Sequence, residues 1–438
     1  GIDAAVNLTM KTTSSALAVH ALIIIVYSLS WAESCAVVNS FTLSSIVPFS
    51  TICDISSTSA LQFTRTNLTG VTFGLLESVL SISFDEFCIL DGIRIEEVRV
   101  NQASPKKPIN MDRFMLDAPL KYAEIGSIQV GGSVQITKRV IASRIGEIQA
   151  EGNINFSLPV SFSTFGNVST APASYNLYDL LFNRIKNCSF TSIRGGRTVQ
   201  IHNTILRSSI ASVSTVSYKS WVDLEFAKDS TLTYISSNYI YVRKALRSAF
   251  GEAVAVFAVT LGSVKNSTFT KLWGKGLVGS SDTYQIAMVH LQDIDQCQFG
   301  SIESGIDVGD YHNDYEIWFD GPVTDSQFDR LKGYPFFTSP APLIRSSFGI
   351  IDSSSSVQWE SEMIKTSFGS VAALGSLLIY TNVSNNVYST FGNLSAGQYL
   401  IFHVPAPMEL NCSGINAQQG CASYEYGTLT PQTCPVCV

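Results

Sequence analysis

One six-residue phrase recurs through most of this chain, and no other feature restricts its fold as strongly. It reads STFGNV from Ser163, CSFTSI from Cys188, STFTKL from Ser267, CQFGSI from Cys297, SQFDRL from Ser326, SSFGII from Ser346, TSFGSV from Thr366 and STFGNL from Ser389. Aligned on the central Phe, the copies share an aliphatic residue five positions before it, a small residue two before and an aliphatic three after. These are Ile185, Cys188 and Ile193 around Phe190, and Met363, Thr366 and Val371 around Phe368. The same template places centres at Ile52, Phe73, Ile95, Ile125, Ile145, Phe165, Phe190, Ile210, Leu232, Phe250, Phe269, Phe299, Phe328, Phe348, Phe368 and Phe391. Most steps are about 20 residues, which is a solenoid period.

Spacing turns the period into geometry. The small residue and the central residue lie two apart, so on a strand they share a side. The next aliphatic lies three on, which breaks the alternation and requires a bend. Gly166, Gly300, Gly349, Gly369 and Gly392 follow their Phe directly and are expected to make that corner. Stacked coils then place Phe over Phe at about 4.8 Å, a column no single coil could bury alone. Helical repeats would need amphipathic stretches of about ten or more residues, whereas short β-branched and aromatic runs are broken here by Gly, Ser and Asn. The leucine and asparagine ladder of leucine-rich repeats is missing. The expected fold is all-β, a right-handed parallel β-helix solenoid of about sixteen coils, on the order of 80 Å long. The pattern resembles pectin-lyase-like proteins and surface adhesins of that architecture. The resemblance covers residues 50–404 and implies a fold only, because unrelated functions share it.

The N-terminus reads as an address. From Met10 it runs MKTTSSALAVHALIIIVYSLSWAES: one Lys, an apolar run over residues 16–27, then small residues at Ser30 and Ala32. This is the layout of a secretory signal cleaved after Ala32, with residues 1–9 as upstream sequence. The apolar run is shorter than the ~20 residues that span a bilayer, and no later segment is long enough to do so. Residues 33–49 then form an N-terminal cap. Asn67, Asn155, Asn167, Asn187, Asn266, Asn382, Asn393 and Asn411 head Asn-X-Ser/Thr acceptor sequences, in keeping with secretion. Asn187 and Asn266 stand three before their Phe, and Asn167 and Asn393 two after theirs, all expected at outward turns. With 45% hydrophobic residues, 14% charged residues and a net charge of -7, the chain can build a large core. Its acidity excludes a phosphate-binding surface and nucleic acid as a partner.

Nine cysteines divide by place. Cys188 and Cys297 occupy the small inward column, where Ser stands in other copies, and read as buried thiols. Cys35, Cys53 and Cys88 lie near the N-terminal cap, where one bridge is expected. After Pro405 the phrase stops, and Cys412, Cys421, Cys434 and Cys437 follow in residues 405–438, a module stapled by disulfides. The run Gly420-Cys421, Tyr424, Gly427 and Cys434-Pro435-Val436-Cys437 is similar to ephrin-receptor-like cysteine-rich repeats. A zinc site is the rival, but a lone CxxC lacks the paired spacing of zinc ribbons.

Three coils are oversized, from 95 to 125, 269 to 299 and 299 to 328, and extra residues in a solenoid become loops on one flank. The first carries Lys106, Lys107 and Arg113 and reads as a solvated loop. The other two belong to neighbouring coils and hold Trp273, Tyr284, Asp307, Asp310, Tyr311, His312, Asn313, Asp314, Tyr315, Glu316, Trp318 and Asp320. Aromatic faces stack on sugar rings while carboxylates and amides bond hydroxyls, so these residues form a candidate glycan groove. The acids could instead hold calcium through oxygen ligands; no other cofactor is expected. The competing reading is a pair of polar loops anchored by aromatics.

Pectin-degrading hydrolases of the fold they resemble carry Asn-Thr-Asp, Asp-Asp, Gly-His-Gly and Arg-Ile-Lys motifs. Only Arg184-Ile185-Lys186 matches, and Ile185 is already explained as a core position. The paired carboxyls that glycoside hydrolysis needs are not singled out. The sequence therefore favours a secreted or cell-surface, non-enzymatic rod that binds glycan or protein. A polysaccharide lyase or hydrolase is the alternative, and a filament or virion spike subunit a further one. Self-association in the form of long chain-to-chain contact would favour the last of these.

Overall fold

A computed structural model describes residues 36–38, 41–43, 46–52, 54–101, 112–170, 179–276, 288–305, 316–337, 342–380, 388–403 and 408–438. The signal-like segment, Cys35 and Cys53 lie outside them. Each turn of chain lays down three strands. In the turn around Phe190 these are Ser189–Gly195, Thr198–Ile201 and Ile205–Leu206. Each pairs in parallel with its counterparts one turn before and after. Phe190 faces Phe165 and Ile210, Val199 faces Leu180 and Val222, and Ile205 faces Ile185 and Ala227. The result is an all-β parallel solenoid of about 15 turns, with no helix among the described residues.

All sixteen centres expected from the repeat fall on one ladder, from Ile52 opposite Phe73 to Phe368 opposite Phe391. From Phe250 through Phe269, Phe299, Phe328, Phe348 and Phe368 to Phe391, successive rings stack at 4.5 to 5.0 Å. The three- and four-residue strands add two inward columns absent from the six-letter phrase, and their aromatics meet the stack edge-on. Phe156 meets Phe165 at 5.8 Å, Phe319 meets Phe328 at 5.6 Å and Trp359 meets Phe368 at 5.5 Å. Offset and edge-on packing suits the ring quadrupoles. Each such side chain contributes roughly 1.5–3 kcal/mol by leaving water.

The corner lies elsewhere than expected. Residues three before the centre carry positive φ, among them Ala142 (48°), Phe162 (53°), Asn187 (50°), Arg207 (47°), Asp229 (52°) and Asn266 (48°). Gly166 sits inside the strand Thr164–Thr170, in a register that pairs Ile145 with Phe165 and Glu147 with Asn167 and skips the residue between. Glycine is needed there for close approach. A Cβ on Gly166 would stand 1.8 Å from the Gly146 carbonyl oxygen, and one on Gly392 1.5 Å from that of Gly369. The bend inferred from the three-residue step is real, but its glycines serve backbone contact between turns, not a left-handed turn.

The ladder also continues past Pro405. Cys412 pairs with Phe391 and Cys421 with Leu400, so half-cystines take inward places that Phe and Leu fill elsewhere. Template matching on an aliphatic or Phe centre missed this last turn for that reason. Cys412 is bonded to Cys437 and Cys421 to Cys434. Gly420–Glu425 then folds back antiparallel on Thr428–Gln432. Of the three cysteines among which one cap bridge is expected, Cys88 is a buried free thiol, held at 3.2 Å from the Phe63 carbonyl oxygen, while Cys35 and Cys53 lie outside the described residues. Cys188 and Cys297 are free and buried, as their column required.

Candidate functional site

Four segments outside the described residues, 102–111, 171–178, 277–287 and 306–315, fall at equivalent places in the repeat. Each follows a seven-residue strand; three precede a four-residue strand, and 277–287 precedes the eight-residue strand Met288–Asp295. Tyr284, Asp307, Asp310, Tyr311, His312, Asn313, Asp314 and Tyr315 fall in these segments, as do Lys106 and Lys107 in the first. Trp273, Glu316, Trp318 and Asp320 can be placed, and they flank the same edge.

Trp273 stands at the root of both later insertions. Its indole N–H donates to the Gly305 carbonyl at 3.1 Å, while the Lys271 and Lys275 ammonium groups lie 4.5 and 5.1 Å from its ring. Both cations are within cation–π range. Lys271 also pairs with Glu303 at 3.0 Å. Burial would raise the Glu303 carboxyl, but hydrogen bonds from Lys271 and Ser301 outweigh it and hold the group below its ordinary range. Across the edge, the Trp318 indole donates to Glu316, and His290 pairs with Asp320. Trp318 and His290 are direct neighbours on adjacent strands. Among the described residues no group of three His, Cys, Asp or Glu could hold a metal ion.

The structure adds residues that the sequence reading passed over. On the outer face of the four-residue strands, Trp221 neighbours Tyr239 and Asp223 neighbours Tyr241. Tyr241 is followed by Thr260, His290 and Trp318 on successive rungs. Trp221, Tyr239, Tyr241, His290 and Trp318 thus share one face. Tyr239 and Tyr241 lie nearly parallel, 6.5 Å apart. Phe257, the extra residue where the register shifts between Ser237 and Tyr239, packs 5.1 Å from Tyr239, and Tyr218 closes on it at 6.2 Å. The Arg197 guanidinium stands 5.6 Å over Trp221 and is bonded bidentately to Asp179. Burial, then the nearby Tyr239 and Asp223, push the Tyr241 hydroxyl up. The signal was present in YISSNYIYV, where Tyr239 and Tyr241 alternate with buried Ile240 and Val242. A template built on the Phe column did not reach it.

Of the acceptor asparagines, Asn67, Asn167, Asn266, Asn393 and Asn411 are exposed, Asn155 and Asn187 are half-buried, and Asn382 lies outside the described residues. Asn187 and Asn266 occupy the positive-φ corner. Asn167 and Asn393, expected at turns, lie instead on strands with their side chains outward. Thr69, the third residue of the Asn67 sequence, donates its hydroxyl to Asn67 Oδ1 at 2.6 Å. Ile185 is fully buried, so Arg184-Ile185-Lys186 is a piece of core strand and its flanks.

The fold defines the class as a parallel β-solenoid. No family model, curated protein or solved structure matches the chain.

Proposed function

We propose that this chain is a secreted or cell-surface solenoid rod that binds glycan without cleaving it. One observation carries the reading: Trp221, Tyr239 with Tyr241, His290 and Trp318 face outward from four of five successive rungs of one sheet, with Thr260 on the rung between Tyr241 and His290. Rungs about 4.8 Å apart set such rings at a spacing close to one pyranose unit of a polysaccharide chain. Flat aromatic faces stack on the apolar faces of sugars, and neighbouring Asp223, Thr260 and Glu316 can bond hydroxyls. Trp273, one edge away, extends the aromatic surface. The cysteine-rich end, with its likeness to ephrin-receptor-like repeats, favours an oxidising, extracellular setting.

The test is a polysaccharide array with calcium present, scoring retention of the protein and release of reducing or unsaturated ends. Retention without release is expected, with Trp221→Ala and Trp318→Ala each weakening it about tenfold. Retention indifferent to both substitutions would sink the aromatic-face reading. Product release would make the protein a lyase or hydrolase instead.

A further inference from the structure

A second surface feature lies on the corner between the two-residue and seven-residue strands. Four consecutive turns border a shallow, open groove of about 490 Å³ lined by Phe162, Thr164, Asn187, Ser189, Arg207 and Asp229 among others. Phe162 is 59% exposed, although most phenylalanines of this chain are core residues. It occupies the positive-φ corner one turn before Asn187, and its backbone N–H bonds to the Lys186 carbonyl at 2.9 Å. Both residues line the same groove. The Asn187 side-chain amide makes no hydrogen bond among the described residues. Asn187-Cys188-Ser189 is an acceptor sequence, so an acceptor amide, an exposed aromatic ring and a row of hydroxyls line one cleft.

We propose that an N-linked glycan on Asn187 folds back into this groove, its first N-acetylhexosamine lying against Phe162. This rests on the secretory reading above. The apolar face of the sugar covers the phenyl ring, and the hydroxyls of Thr164 and Ser189 with the Arg207 guanidinium meet its polar rim. Lys186 Nζ stands 5.9 Å from the Phe162 ring, at the outer limit of a cation–π contact, and gives way at little loss. The chain's own glycan is favoured over a free one because its attachment atom forms part of the wall and ordering it needs no second molecule.

Asn266 supplies an internal control. It has the same corner geometry, φ 48°, but its column neighbours are Arg247 and Gln296 rather than an aromatic. The chain from Met10 onward, with its own leader, is produced in a eukaryotic secretory host. Glycopeptide mass spectrometry reads occupancy, then native protein is treated with a peptide-N-glycosidase over time. Release at Asn187 is expected to be about tenfold slower than at Asn266, and Phe162→Ala to remove the difference. That variant should fold, because Ala142 already occupies the same corner position with φ 48°. Equal release at both sites, or occupancy at Asn266 with none at Asn187, overturns the inference and leaves the secretory reading intact. Occupancy at no acceptor overturns both. Slow release at Asn187 that survives Phe162→Ala assigns the protection to the backbone corner and also overturns the proposal.

Discussion

The backbone N–H of Cys188 donates to Ser208 Oγ across one turn of the solenoid, at 3.1 Å. The same hydroxyl donates to the Leu206 carbonyl at 2.8 Å, so one small side chain satisfies a buried corner on each side. The contact repeats from Ser143 to Ser163, Ser230 to Ser248, Ser326 to Ser346 and Thr366 to Ser389. This is why the small inward column prefers Ser to Ala. Ser208→Ala leaves the Cys188 N–H buried without a partner and should cost about 1–3 kcal/mol. Ser209→Ala, at the exposed position that follows it, should stay within about 0.5 kcal/mol. Urea unfolding of both variants checks this, and equal midpoints would remove the role given to the hydroxyl.

Phe299 lies between Phe269 at 5.0 Å and Phe328 at 4.7 Å, and is 1% exposed. Phe299→Ala opens a void inside a stack that cannot collapse sideways, because the turns on both sides are fixed by their ladders. A loss of about 3–5 kcal/mol is expected, with Phe299→Leu much milder since Leu232 already serves that column. Thermal midpoints rank the two, and a Leu variant as weak as Ala would argue against the stack as a stabilising element.

Burial pushes the Cys297 thiol up to about 11 from an ordinary value of 9.0. Below pH 9 the thiol is protonated whether the chain is folded or not, and its contribution to stability is flat. Between pH 9 and 11 the unfolded chain ionises while the folded one does not, so stability falls as pH rises through that window. Cys297→Ser, the residue most other turns use, should fold and lose part of that decline. Parallel unfolding at pH 8 and pH 10 measures the difference. Native protein should also resist alkylation of Cys297 at pH 8, because the reactive thiolate is scarce and enclosed.

How far the fold was legible follows from which columns carry a distinctive letter. Phe165, Phe190 and their kin mark the central column, so period, register and inward face could be read from them. The four-residue strands alternate unremarkable aliphatics, as in Val199 and Ile201, and their two columns emerged only with the pairing. Glycine was misread at Gly166 because a letter does not distinguish a residue that needs positive φ from one that needs room beside a carbonyl. The turn-forming residues themselves, Phe162, Arg207 and Asp229, share no side-chain chemistry, since the solenoid imposes the corner on whatever stands there. Of the candidate site, Trp273 and Trp318 were found through the oversized coils. Trp221, Tyr239 and Tyr241 sit on turns of normal length and gave no such cue.

The last turn replaces core residues by disulfides, with Cys412 opposite Phe391 and Cys421 opposite Leu400. In a solenoid each turn is held mainly by its neighbours, so whatever fixes the terminal turn protects those behind it. Cys421–Cys434 and Cys412–Cys437 span 13 and 25 residues, and closing loops of that size stabilises by about 3 kcal/mol each in the chain-entropy account. Reduction should therefore loosen the molecule from this end inward. In hydrogen exchange after reduction, amides of Gly420–Glu425 should lose protection first, those of Thr390–Ala396 next, and those of Ser209–Thr215 last. Cys421→Ser with Cys434→Ser should reproduce the pattern without reductant. Uniform loss along the whole ladder would mean that the turns unfold as one unit and that the bridged end is not what seals the solenoid.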